Sequence, residues 1–171
     1  MTAKKNKVSF IGLGKLGLGL ALSISDSGIQ VLGVDGNKSL TKQLKKGKLP
    51  IYEPSLEPLL KKNLNSNFYI TDDKSSAILQ TNITYILIQT PSKRDGRFNS
   101  LFLEKLINEI CTLLNKICKQ HHTIVICSTL QPGTIISRII PLINSFRNLK
   151  VGNNVGLVYN PESVALGEIV R

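Results

Sequence analysis

The amino-acid sequence predicts an α/β fold in which helices cover both faces of a doubly wound parallel sheet. Short apolar runs alternate along the chain with amphipathic segments of helical period, and short connections join them. Such alternation favours parallel strands linked by right-handed crossovers. The unusual short motifs all follow predicted strands, which places them at the sheet edge where ligands of such folds bind. Residues 1–171 show no internal repeat and no low-complexity linker, so they are predicted to form one domain.

The strands are predicted from short apolar runs, each of which ends at a residue or motif that interrupts regular structure. The first run ends at Gly12, the second at Asp35, and the strongly apolar fourth run stops at a Thr-Pro pair. The predicted strands cover residues 8–11, 30–34, 68–71, 83–89, 123–127 and 155–159.

The helices are predicted from apolar residues that recur every three or four positions and from the residues that bound them. The first helix follows a glycine turn, places Leu16, Leu20, Ala21 and Ile24 towards the sheet, and stops at Gly28. The long fifth helix carries its apolar residues on one face. The later predicted helices cover residues 38–46, 55–64, 72–79, 100–119 and 135–146.

A glycine turn, GLGKLG at residues 12–17, lies between the first strand and the first helix. In a dinucleotide fingerprint Gly12 permits the tight turn, Gly14 lets the backbone approach a diphosphate, and Gly17 lets the helix pack close to its strand. Glycine turns also occur in sheets that bind nothing, but here Asp35 ends the second strand, where the fingerprint has an acid. This carboxylate can accept both adenosine ribose hydroxyls and would repel a 2'-phosphate, so NAD is predicted rather than NADP.

The composition limits the other classes of function. The formal charge of +11 permits an anionic partner, but aromatic residues make up only 5% of the chain and do not alternate with the basic clusters, so no nucleic-acid partner is predicted. No apolar run reaches the length of a membrane span and no signal peptide opens the chain, so we expect a soluble, cytoplasmic protein. Cys111, Cys118 and Cys127 lack metal or disulfide spacing and are predicted to be buried side chains.

Six motifs in this order resemble the N-terminal domain of the UDP-glucose/GDP-mannose dehydrogenase family of nucleotide-sugar 6-dehydrogenases. They cover nearly the whole chain, and the third and fifth are far more specific than the glycine turn. They are GLGKLG at residues 12–17, GVD at 33–35, GKLPIYEPSLEPLL at 47–60, QTP at 89–91, STLQPGT at 128–134 and YNPE at 159–162.

The resemblance implies that residues 1–171 form the NAD-binding domain of an enzyme that oxidises the C6 alcohol of an NDP-sugar to a uronate with two NAD. The expected substrate is a UDP-hexose or a UDP-N-acetylhexosamine, used in polysaccharide biosynthesis. The family's central dimerising helix, its sugar-nucleotide domain and its catalytic cysteine have no counterpart in this sequence. We therefore expect the chain alone to be inactive, and a homodimer only in a longer protein.

The resemblance also implies roles for individual residues. Thr129 would orient a hydroxyl or water near the nicotinamide, or else cap the following turn. Glu162 would be a general base, or else cap a helix. Lys15 would approach the diphosphate, or else lie in solvent. The predicted cofactor-binding residues are Gly12, Gly14, Lys15, Leu16, Gly17, Asp35, Thr90, Pro91 and Thr129, and no metal site is predicted.

Several residues depart from the family pattern. Lys15 and Leu16 replace the usual aromatic residue and valine, and Ser55 stands where glycine is usual. Leu166 stands where the UDP-glucose branch has a second glutamate, which the UDP-N-acetylhexosamine branch lacks, and Ser163 fits neither branch, so the sequence leaves the sugar open. Two other hypotheses also remain at this point. One is a hydroxyacid dehydrogenase domain, which shares the IGLG opening, and the other is a stand-alone NAD-binding or regulatory module.

Overall fold

The computed structural model describes residues 7–49, 53, 55–92, 96 and 98–161. Its sheet contains β1 (Lys7–Ile11), β2 (Gln30–Val34), β3 (Phe68–Ile70), β4 (Ile83–Ile86), β5 (His122–Ile126) and β6 (Val155–Tyr159). All neighbouring strands are parallel, in the order β3-β2-β1-β4-β5-β6. The strand order therefore reverses between β1 and β4, which confirms the predicted doubly wound, Rossmann-type fold.

The helices in the described ranges are α1 (Lys15–Asp26), α2 (Lys38–Lys45), α3 (Leu56–Asn63), α4 (Lys74–Leu79), α5 (Leu101–Lys116) and α6 (Ile140–Asn144). Their bounds lie close to the predicted ones, because local caps set them. The side chain of Asp73, for example, accepts a hydrogen bond from the N–H of Ser76 at 2.9 Å and starts α4. None of the described helices is long and apolar enough to cross a bilayer.

The helix predicted over residues 135–146 is divided in the structure. A π-helical segment, Ile135–Ile139, precedes α6, and Pro141 stands in the first turn of α6. A proline lacks the N–H that a helix interior needs, whereas the first turn of a helix requires no such donor. The change of helix type at this point therefore accommodates Pro141, and the chain continues directly from the π-helical segment into α6.

Two apolar cores lie on opposite faces of the sheet. One is built from α1, α2 and α3 around Phe10 and Phe68, and the other from α4, α5, the π-helical segment and α6 around Ile86 and Ile126. Side chains on a strand alternate between the faces, so Phe10 belongs to the first core and its neighbour Ile11 to the second.

The face that α1 turns to the sheet agrees with the prediction only in part. Ala21 is buried, and Leu20 and Ile24 are half-buried against the first core, as predicted. The fully buried residues also include Gly17, Leu18 and Leu22, whereas Leu16 is only half-buried. The cause is the contact of Gly17 with the glycine turn, because a Cβ on Gly17 would lie 2.1 Å from the carbonyl oxygen of Gly12. This backbone contact sets the rotation of the helix about its axis.

A buried chain of polar side chains crosses the sheet towards the N-terminal ends of its strands. The hydroxyl of Ser9 lies 3.0 Å from that of Thr81 and 2.7 Å from that of Thr84, and Thr84 Oγ1 lies 2.8 Å from His122 Nε2. The fifth strand was predicted to begin at residue 123, but β5 begins one residue earlier, at the buried His122. The Nδ1 atom of His122 has no hydrogen-bond partner among the residues that the structure describes. Burial, with a smaller effect of the Lys119 charge, lowers the pKa of His122 to about 4.

The prediction that all three cysteines are buried is wrong for one of them. Cys111 and Cys127 are buried, whereas Cys118 is exposed and has a positive φ of 48° just after α5. Its position in the turn that ends the helix brings it to the surface. Burial raises the pKa of the Cys111 thiol to about 12, so that thiol is unreactive.

We predict that His122 makes the fold sensitive to acid. The pKa of this group is lower in the folded chain than its ordinary value of 6.5, so between about pH 6.5 and 4 the unfolded chain binds a proton that the folded chain excludes. Stability at pH 5 should therefore be about 2 kcal/mol lower than at pH 7 through this group alone. Urea unfolding of a His122→Gln variant should show that much less pH dependence than the wild type.

The exposed His121 offers a matched control, because His121→Gln removes an imidazole without touching the buried chain of hydroxyls. This variant should retain the wild-type pH dependence. An unchanged pH dependence in His122→Gln would contradict the prediction.

Candidate cofactor site

A cleft of about 820 Å³ opens at the carboxyl edge of the sheet, where the strand order reverses between β1 and β4. The ends of β1, β2 and β4 form its floor, and residues from the starts of α2 and α4 and from one face of α5 form its walls. Ligands of doubly wound sheets bind at this kind of reversal, because the two neighbouring loops leave the sheet in opposite directions. The described residues contain no cluster of His, Cys, Asp or Glu that could hold a metal ion.

The three glycines of the turn have different structural constraints. Gly12 has a φ of 101°, and a Cβ there would lie 2.1 Å from the carbonyl oxygen of Leu87. Gly17 is pressed against Gly12, as described above. Gly14 has an ordinary φ of −63°, and a Cβ there would meet nothing within 4 Å. The fold requires the first and third glycines, whereas the second keeps the cleft open, as a backbone approach to a diphosphate demands.

The start of α1 faces this cleft without a side-chain cap. Gly14 is the N-cap residue, and the first turn contains no acidic residue. The first N–H groups of a helix have no partner within it, and they carry the positive end of the helix dipole. This terminus is therefore suited to an anionic group. Lys15 is exposed in the first turn, where a cation opposes the dipole, so helix stability does not explain it. Leu16 is half-buried beside it.

Asp35 is held in place by the backbone at the end of β2. Its Oδ2 accepts a hydrogen bond from the N–H of Leu13 at 2.7 Å, and its Oδ1 accepts one from the N–H of Asn37 at 2.8 Å. Each carboxylate oxygen can accept a second hydrogen bond. The carboxylate is thus fixed with acceptor capacity left for two ribose hydroxyls, which fits the predicted role of Asp35.

The sequence interpretation missed Asn37, although asparagine is a common N-cap residue. Its side chain accepts hydrogen bonds from the N–H groups of Ser39 at 3.0 Å and Leu40 at 3.2 Å. The amide oxygen of Asn37 therefore occupies the start of α2, where a 2'-phosphate could otherwise bind. Like the charge of Asp35, this arrangement disfavours a 2'-phosphate at the end of β2.

The loops that follow β4 and β5 are joined to each other. Thr90 Oγ1 donates a hydrogen bond to the carbonyl oxygen of Thr129 at 2.7 Å, and Pro91 lines the cleft. The hydroxyl of Ser128 donates to the carbonyl of Ile88 at 2.7 Å and accepts from its N–H at 3.1 Å. This side chain replaces a strand partner, so β4 ends at Ile86 and not at residue 89 as predicted.

Thr129 is exposed at the carboxyl edge of the sheet, and its hydroxyl has no hydrogen-bond partner among the described residues. The structure therefore provides no support for a cap on the following turn. Glu162 lies outside the described residues, and its role as a general base stays a prediction. The sequence interpretation also missed Ser128 and Tyr159, which hold the loop around Thr129. The serine was visible in the STLQPGT motif, but only the fold shows its partner.

The strand order, the glycine turn and the fixed Asp35 together define a dinucleotide-binding domain. The chain belongs to the UDP-glucose/GDP-mannose dehydrogenase family, because the model of the family's NAD binding domain matches residues 6–171. This match confirms the predicted family and NAD as the cofactor.

Relatives of known activity support the family assignment. The GDP-mannose 6-dehydrogenase of Pseudomonas syringae pv. syringae is 35% identical over 157 residues, which are 91% of this chain and 36% of that protein. The UDP-glucose 6-dehydrogenase of Rhizobium meliloti (strain 1021) is 31% identical over 170 residues, which are 96% of this chain and 36% of that protein. The chain thus spans about 36% of the length of these two curated relatives.

A solved structure shows the same fold. The crystal structure of a ternary complex of GDP-mannose dehydrogenase from Pseudomonas aeruginosa has a TM-score of 0.87 to this chain at 33% identity. The match covers 94% of this chain and 37% of that one.

Of two glycine substitutions, one should weaken NADH binding without affecting folding, and the other should lower the stability of the fold. Gly14→Val should reduce NADH affinity by about a hundredfold or more, since a branched side chain would stand between the helix terminus and the diphosphate. Its melting temperature should stay close to that of the wild type, because Gly14 has an ordinary φ and open space. Gly17→Ala should instead lower stability by about 3 kcal/mol, because its Cβ would collide with a backbone oxygen.

Calorimetric titration with NADH and thermal unfolding of both variants test this contrast. Wild-type affinity in Gly14→Val would show that the diphosphate does not bind at this turn.

The choice between NAD and NADP should depend on the charge of Asp35. In Asp35→Asn one carboxylate oxygen becomes a donor and the charge is lost, while the side-chain shape is retained. NAD affinity should fall about tenfold, and the preference over NADP should shrink, because the repulsion of a 2'-phosphate is gone. Titrations of both cofactors against wild type and variant measure the ratio. An unchanged ratio would exclude the ribose role of Asp35.

Proposed function

We propose that this chain is the cofactor domain of a nucleotide-sugar 6-dehydrogenase, which oxidises the C6 alcohol of an NDP-sugar to a carboxylate with two NAD. The main support for the proposal is that the family-specific loop STLQPGT is hydrogen-bonded to the loop QTP. Thr90 and Ser128 make this connection directly beside the cofactor cleft. A simple dinucleotide-binding domain needs the glycine turn and the acid, but it does not need this second pair of loops.

The position of Thr129 suits a role near the reacting carbon. Asp35 lies at the end of β2, the glycine turn follows β1, and Thr129 follows β5 on the other side of the reversal. A dinucleotide whose ribose binds Asp35 and whose diphosphate binds at α1 would therefore extend towards β4 and β5. NAD, when bound, accepts a hydride in each of the two oxidations. In this arrangement Thr129 would orient the sugar hydroxyl or a water molecule by a hydrogen bond.

The second oxidation requires a nucleophile that adds to the aldehyde before hydride can leave. None of the three cysteines is suited to this step. Cys111 is buried with a raised pKa, Cys127 is also buried, and Cys118 follows the far end of α5, whose first turns line the cleft. We propose that the nucleophile and most sugar contacts come from protein outside residues 1–171.

The relatives suggest which nucleotide sugars to test first. Both GDP-mannose and UDP-glucose enzymes match this chain at above 30% identity. GDP-mannose therefore belongs in the test panel beside the UDP-hexoses and UDP-N-acetylhexosamines that the sequence suggested.

We predict that the 171-residue chain binds NADH but oxidises none of these sugars. The purified chain would be incubated with NAD and GDP-mannose, UDP-glucose, UDP-N-acetylglucosamine or UDP-N-acetylmannosamine, and NADH absorbance followed. No turnover is expected, because positioning and the nucleophile are both lacking.

The same activity assay with the Cys127→Ala variant provides the control. Turnover by the wild-type chain that disappears in this variant would show that Cys127 is the nucleophile and contradict the proposal that it comes from elsewhere. Failure to bind NADH would contradict the cofactor role itself.

A further inference from the structure

Three successive residues of the loop after β5 are each held by a different contact. Ser128 bonds to the backbone of Ile88, and the carbonyl of Thr129 accepts from Thr90, as described above. The N–H of Leu130 donates to the phenol oxygen of Tyr159 at 3.2 Å. The first two contacts come from the loop after β4, whereas the third comes from the last residue of β6. The loop is therefore fixed from both sides of β5.

The stability of the fold does not explain why a tyrosine stands at position 159. It ends the edge strand of the sheet and is 40% exposed, so its ring contributes little to either core. Its hydroxyl nevertheless reaches across from β6 to the loop that follows β5. Phenylalanine at this position would keep the ring and lose only the contact with Leu130.

We propose that Tyr159 is a positioning residue for the nicotinamide half of the cofactor. By holding the N–H of Leu130, it fixes the orientation of the preceding residue, Thr129, whose exposed hydroxyl is available to a ligand. This inference rests on the proposed function, which directs that half of the cofactor towards the ends of β4 and β5. The adenosine half lies near Asp35 at the end of β2, three strands away from β5 or about 14 Å, beyond the influence of Tyr159.

This difference in position leads to a test with two ligands. NADH and ADP-ribose share the adenosine, the diphosphate and the second ribose, and only NADH carries the nicotinamide. In Tyr159→Phe the affinity for NADH should fall about threefold to tenfold, the effect of one hydrogen bond, while the affinity for ADP-ribose stays at the wild-type value. A general loosening of the domain would lower both affinities together.

Tyr69→Phe is a matched control. The hydroxyl of Tyr69 also bonds to a backbone group, donating to the carbonyl of Ser66 at 2.9 Å, but this contact lies before β3 at the opposite edge of the sheet. The variant removes a tyrosine hydroxyl of the same kind and should change neither affinity.

A second measurement needs no variant. In hydrogen exchange of the wild-type chain, NADH should slow exchange at the amide of Leu130 more than ADP-ribose does at equal saturation. Equal slowing by the two ligands would overturn the inference, as would equal loss of both affinities in Tyr159→Phe or no loss at all. These results would leave the proposed function intact. A wild-type chain that binds neither ligand would overturn both.

Discussion

The contact between Gly12 and Gly17 is the constraint on which the rest of the site depends. Two backbones meet there so closely that a single Cβ on Gly17 would lie 2.1 Å from the oxygen of Gly12. This contact locks the first helix against the first strand and turns its uncapped N-terminus to the cleft. The same turn places the N–H of Leu13 against Asp35, so one short segment sets both the helix terminus that we assign to the diphosphate and the carboxylate that we assign to the ribose. A displaced helix would therefore disturb both.

The opposite half of the cleft is organised by side chains and not by backbone packing. Hydroxyl groups of Thr90, Ser128 and Tyr159 join the loops after β4 and β5 to each other and to the end of β6, and leave the hydroxyl of Thr129 exposed. Hydrogen bonds of this kind each contribute about 1 kcal/mol, so the arrangement depends on several acting together. The half of the cleft around the glycine turn is fixed by backbone packing. The half around Thr129 is held by a network of hydrogen bonds that single substitutions can adjust.

The sequence interpretation was accurate where local patterns decide structure. The six strands, the glycine turn and Asp35 follow from apolar runs and from residues that end them, and the family assignment followed from motifs in order. It failed where a distant contact decides the outcome. The fifth strand was predicted to begin at Thr123, yet β5 begins at His122, to which Thr84 supplies a partner from another strand. The buried face of α1 was predicted only in part, because the periodicity of leucines outweighs two glycines in any pattern, whereas the glycines set the helix rotation.

The sequence by itself determined the class of fold, the position of the glycine turn and NAD as the cofactor, because each depends on residue types at fixed short spacings. Only the tertiary structure decided what holds those residues in place. It showed that Gly14 is free of the packing that constrains Gly12 and Gly17, that Asn37 closes the start of α2, and that Tyr159 reaches Leu130. The physical reason is that hydrogen bonds and steric contacts join residues far apart in sequence. Their partners are defined only when the strands take their places in the sheet.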